Sequence, residues 1–185
     1  MNRRACLRAA ALLPAAAIPL GCAAPGGREA RPSAPRALEE LPARAVRRFV
    51  DENRGCGEAV LMAVCEAIGF PGGPYLDMAL GLSGGVGLQG KTCGCVSAGA
   101  MGLSLAVAGR ERAAAARKPR VYDAAGTFVK SFEKECGSTE CRKLCGLDLA
   151  TPEGFERFKK EVKGAVCAKV MEKACRILAE MLPRV

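Results

Sequence analysis

The chain has 185 residues, half of them hydrophobic, with two tyrosines, six phenylalanines, no tryptophan and a net charge of +9. That length supports one domain with a real core, and so few aromatic side chains offer little stacking surface to nucleic-acid bases, whatever the charge. Histidine is absent, which removes His-ligated haem, Cys₂His₂ zinc, histidine-bound iron and every mechanism with a histidine base.

Residues 1–22 read as an export signal: a basic start, then an alanine- and leucine-rich run from Ala9 to Leu20 that is too short to span a bilayer. Arg3-Arg4-Ala5-Cys6-Leu7-Arg8 resembles a twin-arginine signal, which implies export in the folded state, often with a cofactor already inserted. Leu20-Gly21-Cys22 resembles the end of a lipoprotein cleavage box, which makes Cys22 a candidate lipid anchor. The protein is therefore expected outside the cytoplasm, periplasmic or held at the membrane by that lipid. Residues 23–36, rich in Pro, Gly and charge, are a linker, and the folded domain is expected over 37–185.

Ala37 to Glu52 carries Leu38, Leu41, Ala45, Val46 and Phe49 at helical spacing, with a kink or entry at Pro42. After the break Asn53-Arg-Gly-Cys56-Gly, a strongly apolar helix is predicted over Glu58 to Phe70, placing Cys56 at its N-terminus. Pro71-Gly-Gly-Pro74 is a turn, and Tyr75 to Leu82 is a weak strand candidate.

The stretch Ser83 to Gly102 holds four glycines between 84 and 90, then Lys91, Thr92, Cys93 and Cys95. Gly85-Val-Gly-Leu-Gln-Gly-Lys91-Thr92 fits the phosphate-loop pattern letter for letter. That motif needs a buried strand before it and an Asp-ending apolar strand after it; Tyr75 to Leu82 is only a weak strand candidate and no Asp-ending run follows, so no nucleotide is expected. The glycines read instead as a tight turn that presents the cysteines. A buried helix of small residues follows (Ser97, Ala98, Gly99, Ala100, Gly102), with Cys93 and Cys95 at or near its N-terminus, where unpaired N–H groups favour a thiolate. Ala113 to Arg120 reads as a basic connector, Val121 to Glu135 as a helix, and Cys141 to Gly146 as a short helical turn. Thr151-Pro152-Glu153 is a helix start, and the last helix runs from about Lys163 to Met181 with Cys167 and Cys175 on it. The sum is an all-α single compact domain of five to six helices, with a glycine-rich loop before a small-residue helix.

Eleven cysteines carry most of the chemical information. Setting aside Cys6 and Cys22 leaves nine, an odd number that cannot all pair within one chain. No C-x-x-C occurs, so a thioredoxin-type dithiol and zinc-ribbon knuckles are both missing. Most of the nine stand at element starts and turns in separate segments, a layout that can converge on one centre. Cys65 and Cys175 read as small core residues.

Four of these positions carry a family resemblance. Cys56-Gly-Glu-Ala-Val, Gly94-Cys95-Val-Ser-Ala-Gly99, Gly137-Ser-Thr-Glu-Cys141-Arg-Lys-Leu and Cys167-Ala-Lys-Val agree in order with the redox-active family named for its C…GCAxxG…C…C pattern. The domain is also similar to the cysteine-bearing C-terminal domain of split-Soret cytochromes. The match runs from about Asn53 to Leu182, with Val96 where the motif has alanine and with Cys93 outside the pattern, as a substitute for Cys95 or a supplement to it.

Three readings follow. In the first, Cys56, Cys95, Cys141 and Cys167 hold an iron–sulfur cluster as thiolate ligands, with Cys93 nearby. In the second, pairs such as Cys93/Cys95 or Cys141/Cys145 cycle as thiol and disulfide without a cofactor. In the third, the cysteines are structural, as disulfides or a closed Cys₄ zinc site. No acid–base constellation stands out, so an electron carrier serving a redox partner protein is favoured over a turnover enzyme.

Overall fold

The computed structural model describes residues 35–185, so the export signal, Cys6, Cys22 and most of the linker lie outside the described residues. In chain order come α1 (Pro35–Glu39), α2 (Leu41–Val50), α3 (Cys56–Ala67), α4 (Pro74–Leu80), α5 (Gly94–Arg110), α6 (Ala114–Cys136), α7 (Cys141–Cys145) and α8 (Pro152–Arg157). A π-helical segment, Phe158–Cys167, then runs directly into α9, Ala168–Met181. Among the described residues there is no strand, only an isolated bridge between Thr92 and Glu140. The all-α expectation holds, and five α-helices have ten residues or more. No helix is long and apolar enough to cross a membrane among the described residues.

The centre of the domain is α3, whose Ala59, Val60, Leu61, Ala63 and Val64 are all buried. It packs against α2 and α4 and, most extensively, against α5. On the other side, α5 meets α6, and α9 closes the bundle against α2, α5 and α6. The small residues of α5 explain how it fits between two neighbours. A Cβ on Gly102 would come within 2.6 Å of Val64, and one on Gly99 within 2.4 Å of the Phe128 ring. Phe128 and Phe132, one turn apart on α6, are fully buried. Withdrawing each from water stabilises the fold by roughly 1.5–3 kcal/mol.

Local signals set most boundaries. The Thr151 hydroxyl accepts the Gly154 N–H at 3.1 Å, with Pro152 in the first turn of α8. Glu58 reaches back to accept the Gly55 N–H at 3.1 Å at the head of α3. The predicted helix over 37–52 is divided, α1 ending at Glu39 and α2 restarting at Leu41 with Pro42 in its first turn.

Two segments depart from expectation. The strand candidate Tyr75 to Leu82 is mostly helical, because Pro74 pre-sets the first turn of α4 and Asp77 sits where the helix dipole favours an acid. The basic connector is helical too. Ala114, Ala115 and Ala116 are strong helix formers, and the Arg117 guanidinium donates to the Glu111 and Arg112 carbonyls at 3.1 and 2.9 Å. Pro119 lies inside α6, past its first turn, and there gives up the N–H bond to the Ala115 carbonyl.

Candidate functional site

Cys56 is the first residue of α3, Cys93 caps α5 with Cys95 in its first turn, and Cys141 opens α7. Cys167 is the last residue of the π-helical segment. These five side chains, from four separate segments, line one cavity of about 30 Å³. The rest of its wall is apolar: Phe49, Leu144, Leu149, Phe158 and Val170, with the backbone of Gly84. Among the described residues no charged side chain lines it. The Gly57 N–H at the head of α3 points at the Cys56 sulfur, and Cys93 and Cys95 stand at the N-terminus of α5, where the helix dipole favours a thiolate.

The glycine loop makes this approach possible. A Cβ on Gly94 would lie 2.6 Å from the Cys56 Sγ, and one on Gly85 would lie 2.7 Å from the Cys141 Cβ. Gly85 also has φ +74°, a conformation that disfavours any side chain. The loop is then tied to the α7 segment by main chain alone. The Cys93 N–H donates to the Thr139 carbonyl at 2.8 Å, the Cys141 N–H to Lys91 at 2.7 Å, and the Arg142 N–H to Gly90 at 3.1 Å.

The sulfurs differ in protonation. The Cys95 thiol donates to Cys56, and the Gly84 N–H, the Ser83 hydroxyl and the Gly57 N–H also point at Cys56. Together they overcome burial and bring the Cys56 pKa down to about 6. Ser83 holds this arrangement, since its oxygen also accepts the Gly57 N–H at 3.2 Å. Cys95 moves strongly the other way, because its proton is shared with Cys56 and Cys93 and it is buried. Burial and neighbouring sulfurs raise Cys141 as well, and raise Cys167 to about 12. Cys56 is thus the sulfur that ionises first, while Cys95, Cys141 and Cys167 hold their protons to higher pH.

The remaining cysteines stand apart from the cavity wall. Cys145 donates from its sulfur to the Leu147 carbonyl at 3.5 Å. Cys65 and Cys175 are core residues whose pKa values burial pushes up, Cys65 to about 11. Cys136, half-buried at the end of α6, is also raised by burial. All nine described cysteines are free thiols. Among the described residues no three His, Cys, Asp or Glu side chains stand together as a ligand set for a single metal ion; the sulfurs surround a space instead.

Sequence reasoning missed Ser83, whose hydroxyl helps hold the Cys56 thiolate, and the apolar wall. Only the density of glycines marked the loop; nothing local in the sequence signals that Phe49 and Phe158 meet there.

Residues 54–181 match the family described as "Putative redox-active protein (C_GCAxxG_C_C)". No curated protein and no solved structure matches the chain. The match covers well over half of the chain and includes Cys56, Cys95, Cys141 and Cys167. With these cysteines gathered at one centre, the chain belongs to the C_GCAxxG_C_C family of redox-active proteins.

Proposed function

We propose that the cysteine cavity holds an iron–sulfur cluster and that the protein is an electron-transfer module. The carrying observation is the convergence of five cysteines from four segments on one apolar cavity, with glycines at Gly85 and Gly94 where a side chain would block it. The donor set fits: clusters are commonly held by four cysteine thiolates, and the chain offers no histidine to compete. Cys56, Cys95, Cys141 and Cys167 would be the ligands, with Cys93 beside them. A cluster so bound supplies reversible electron transfer.

The chain's own groups serve that role in identifiable ways. Cys56 is already a thiolate near neutral pH, whereas Cys95, Cys141 and Cys167 must give up their protons on ligation. The Gly84 and Gly57 N–H groups and the Ser83 hydroxyl point at Cys56 sulfur, and such bonds raise the potential of a bound centre. A space of about 30 Å³ has room for only one or two waters. The thiols would therefore have to spread for a cluster to be held there.

A second reading rests on a specific contact. The Cys95 thiol shares its proton with the Cys56 sulfur, and a disulfide forms between them when a small-molecule oxidant takes two electrons and the Cys95 proton goes to solvent. Protein purified and reconstituted without air separates the two. Iron and sulfide in equal amounts with visible charge-transfer absorption, lost in Cys56→Ser, Cys95→Ser, Cys141→Ser and Cys167→Ser, is the expected result. Iron-free protein with a reducible Cys56–Cys95 disulfide overturns it, and stoichiometric zinc returns the site to a structural role.

Export by the twin-arginine route, with Cys22 lipidated and the electrons passed to a partner redox protein, completes the proposal. Replacing Arg3-Arg4 by Lys-Lys should trap the precursor in the cytosol; unchanged export rejects that route.

A further inference from the structure

Beside the cysteine cavity lies a larger groove of about 430 Å³, and the two share Phe49, Cys56, Gly84, Leu149 and Phe158 in their walls. Its volume falls in the range of small-molecule sites. Phe49, Phe155 and Phe158 line it as a row of rings, Phe155 and Phe158 nearly parallel with centroids 6.1 Å apart. Phe49 and Phe158 are tilted, at 6.4 Å. Leucines (Leu80, Leu88, Leu149) complete the apolar surface.

Three cations line the groove, and their partners differ. Arg54 is paired with Glu58 at 2.6 Å, and Lys159 with Glu156 at 2.5 Å. The Lys163 ammonium lies 5.2 Å over the Phe49 ring and donates to the Asn53 amide oxygen at 2.6 Å, so a neutral group meets it where its neighbours have carboxylates. Burial lowers the pKa of Lys163, which means that its charge lacks full compensation. The groove also gathers backbone strain. Asn53 and Leu88 line it with φ of +55° and +67°, and Val86, next to it in the loop, has φ +61°. Non-glycine residues in this region cluster at ligand sites, and a β-branched one is a genuine outlier.

We propose that the groove binds a small, flat aromatic anion of the arenecarboxylate type. Its carboxylate meets Lys163 in place of the Asn53 amide, and its ring extends the stack of Phe155 and Phe158. An aromatic ring is favoured over an alkyl chain because the wall presents ring faces already bordered by cations. Such a ligand lies against the Cys56 side of the cysteine centre. Because the two spaces share a wall, the titration uses reduced, metal-free protein, which keeps this test separate from what the cysteines hold.

Calorimetric titration of the full chain with 2-naphthoate tests this. Saturable binding is expected, weakened about tenfold in Lys163→Gln. The neutral analogue 2-naphthamide should bind both forms equally, and octanoate should bind the parent at least about tenfold more weakly than 2-naphthoate. Phe155→Leu should weaken 2-naphthoate while leaving far-UV circular dichroism unchanged. Methyl resonances of Leu88 and Leu149 should move on titration, with those of Leu178 in the core as the fixed reference. Absence of saturable binding overturns the proposal, as does octanoate binding as tightly as 2-naphthoate. Binding that Lys163→Gln leaves unchanged, or that moves no groove methyl, overturns it equally.

Discussion

Gly94→Ala is the sharpest single perturbation of the cysteine centre. The new Cβ would stand 2.6 Å from the Cys56 sulfur, 2.9 Å from the Gly57 nitrogen and 3.1 Å from the Leu82 carbonyl oxygen. Ordinary contact begins near 3.4 Å, so the sulfur must retreat by about 0.8 Å while two main-chain atoms confine the methyl on its other sides. Overpacking of this kind costs about 1–3 kcal/mol, against a gain of at most about 1 kcal/mol for alanine over glycine in a helix. With the full gain subtracted, the net is a loss of up to about 2 kcal/mol, or up to about 8 °C in melting temperature for a chain of this size. Gly126→Ala is the control, since a Cβ there meets nothing within 4 Å in mid-helix; it should stabilise by about 0.5–1 kcal/mol. Far-UV circular dichroism melts compare the three proteins, and the pH dependence of Cys56 alkylation gives a local readout. Because the methyl displaces the sulfur from the Gly57 N–H, the alkylation midpoint should rise from about 6. If Gly94→Ala melts at or above the parent and keeps its Cys56 titration, the tight glycine cradle is refuted.

Other outcomes follow from the same structure. In reduced, metal-free protein, the depressed Cys56 gives stability that is full above the ordinary thiol pKa and is lost as pH falls through about 6. The raised Cys95, Cys141 and Cys167 give stability that is full below the ordinary thiol value of 9.0 and is lost as pH rises beyond it, towards about 12 for Cys167. The urea midpoint should therefore climb from pH 6 towards 9 and fall steeply above it; a flat alkaline limb would contradict the raised thiols. Cys175→Ala should cost about 1 kcal/mol by opening a small core void, yet leave iron loading and Cys56 alkylation untouched. Eight residues place Cys175 about 12 Å along the helix from Cys167, and loss of iron in this variant would contradict its place in the core.

The helices were legible where apolar spacing was strong. The run in α3 and the four-residue steps of Ala124, Phe128 and Phe132 in α6 translate directly into buried faces. The start of α6 was hidden because Arg117, Lys118 and Arg120 read as solvated connector, whereas the alanines before them decide the backbone. The π-helical segment left no trace in residue types, since a wider hydrogen-bond register depends on how Phe158 and Cys167 are placed against the bundle. That Cys56, Cys95, Cys141 and Cys167 share a centre was suggested by order and resemblance. Their distances depend on Gly85 and Gly94 fitting under two side chains, a tertiary matter. The aromatic groove was illegible for a similar reason: Phe49, Phe155 and Phe158 come from opposite ends of the domain.

The main-chain ties between the glycine loop and the α7 segment bear on how such a sequence can drift over evolutionary time. Bonds from the Cys93, Cys141 and Arg142 amides to the Thr139, Lys91 and Gly90 carbonyls use no side-chain atom. Lys91, Thr92, Thr139 and Glu140 can therefore exchange for other residues without moving the sulfurs they flank, because the peptide groups keep the register. Gly85, Gly90 and Gly94 have no such freedom, since a methyl at each would meet an atom within 3.0 Å. Selection on this centre should fall on cysteines and glycines and pass over the residues between them. Two distant relatives could then share the site while agreeing at little else in the loop.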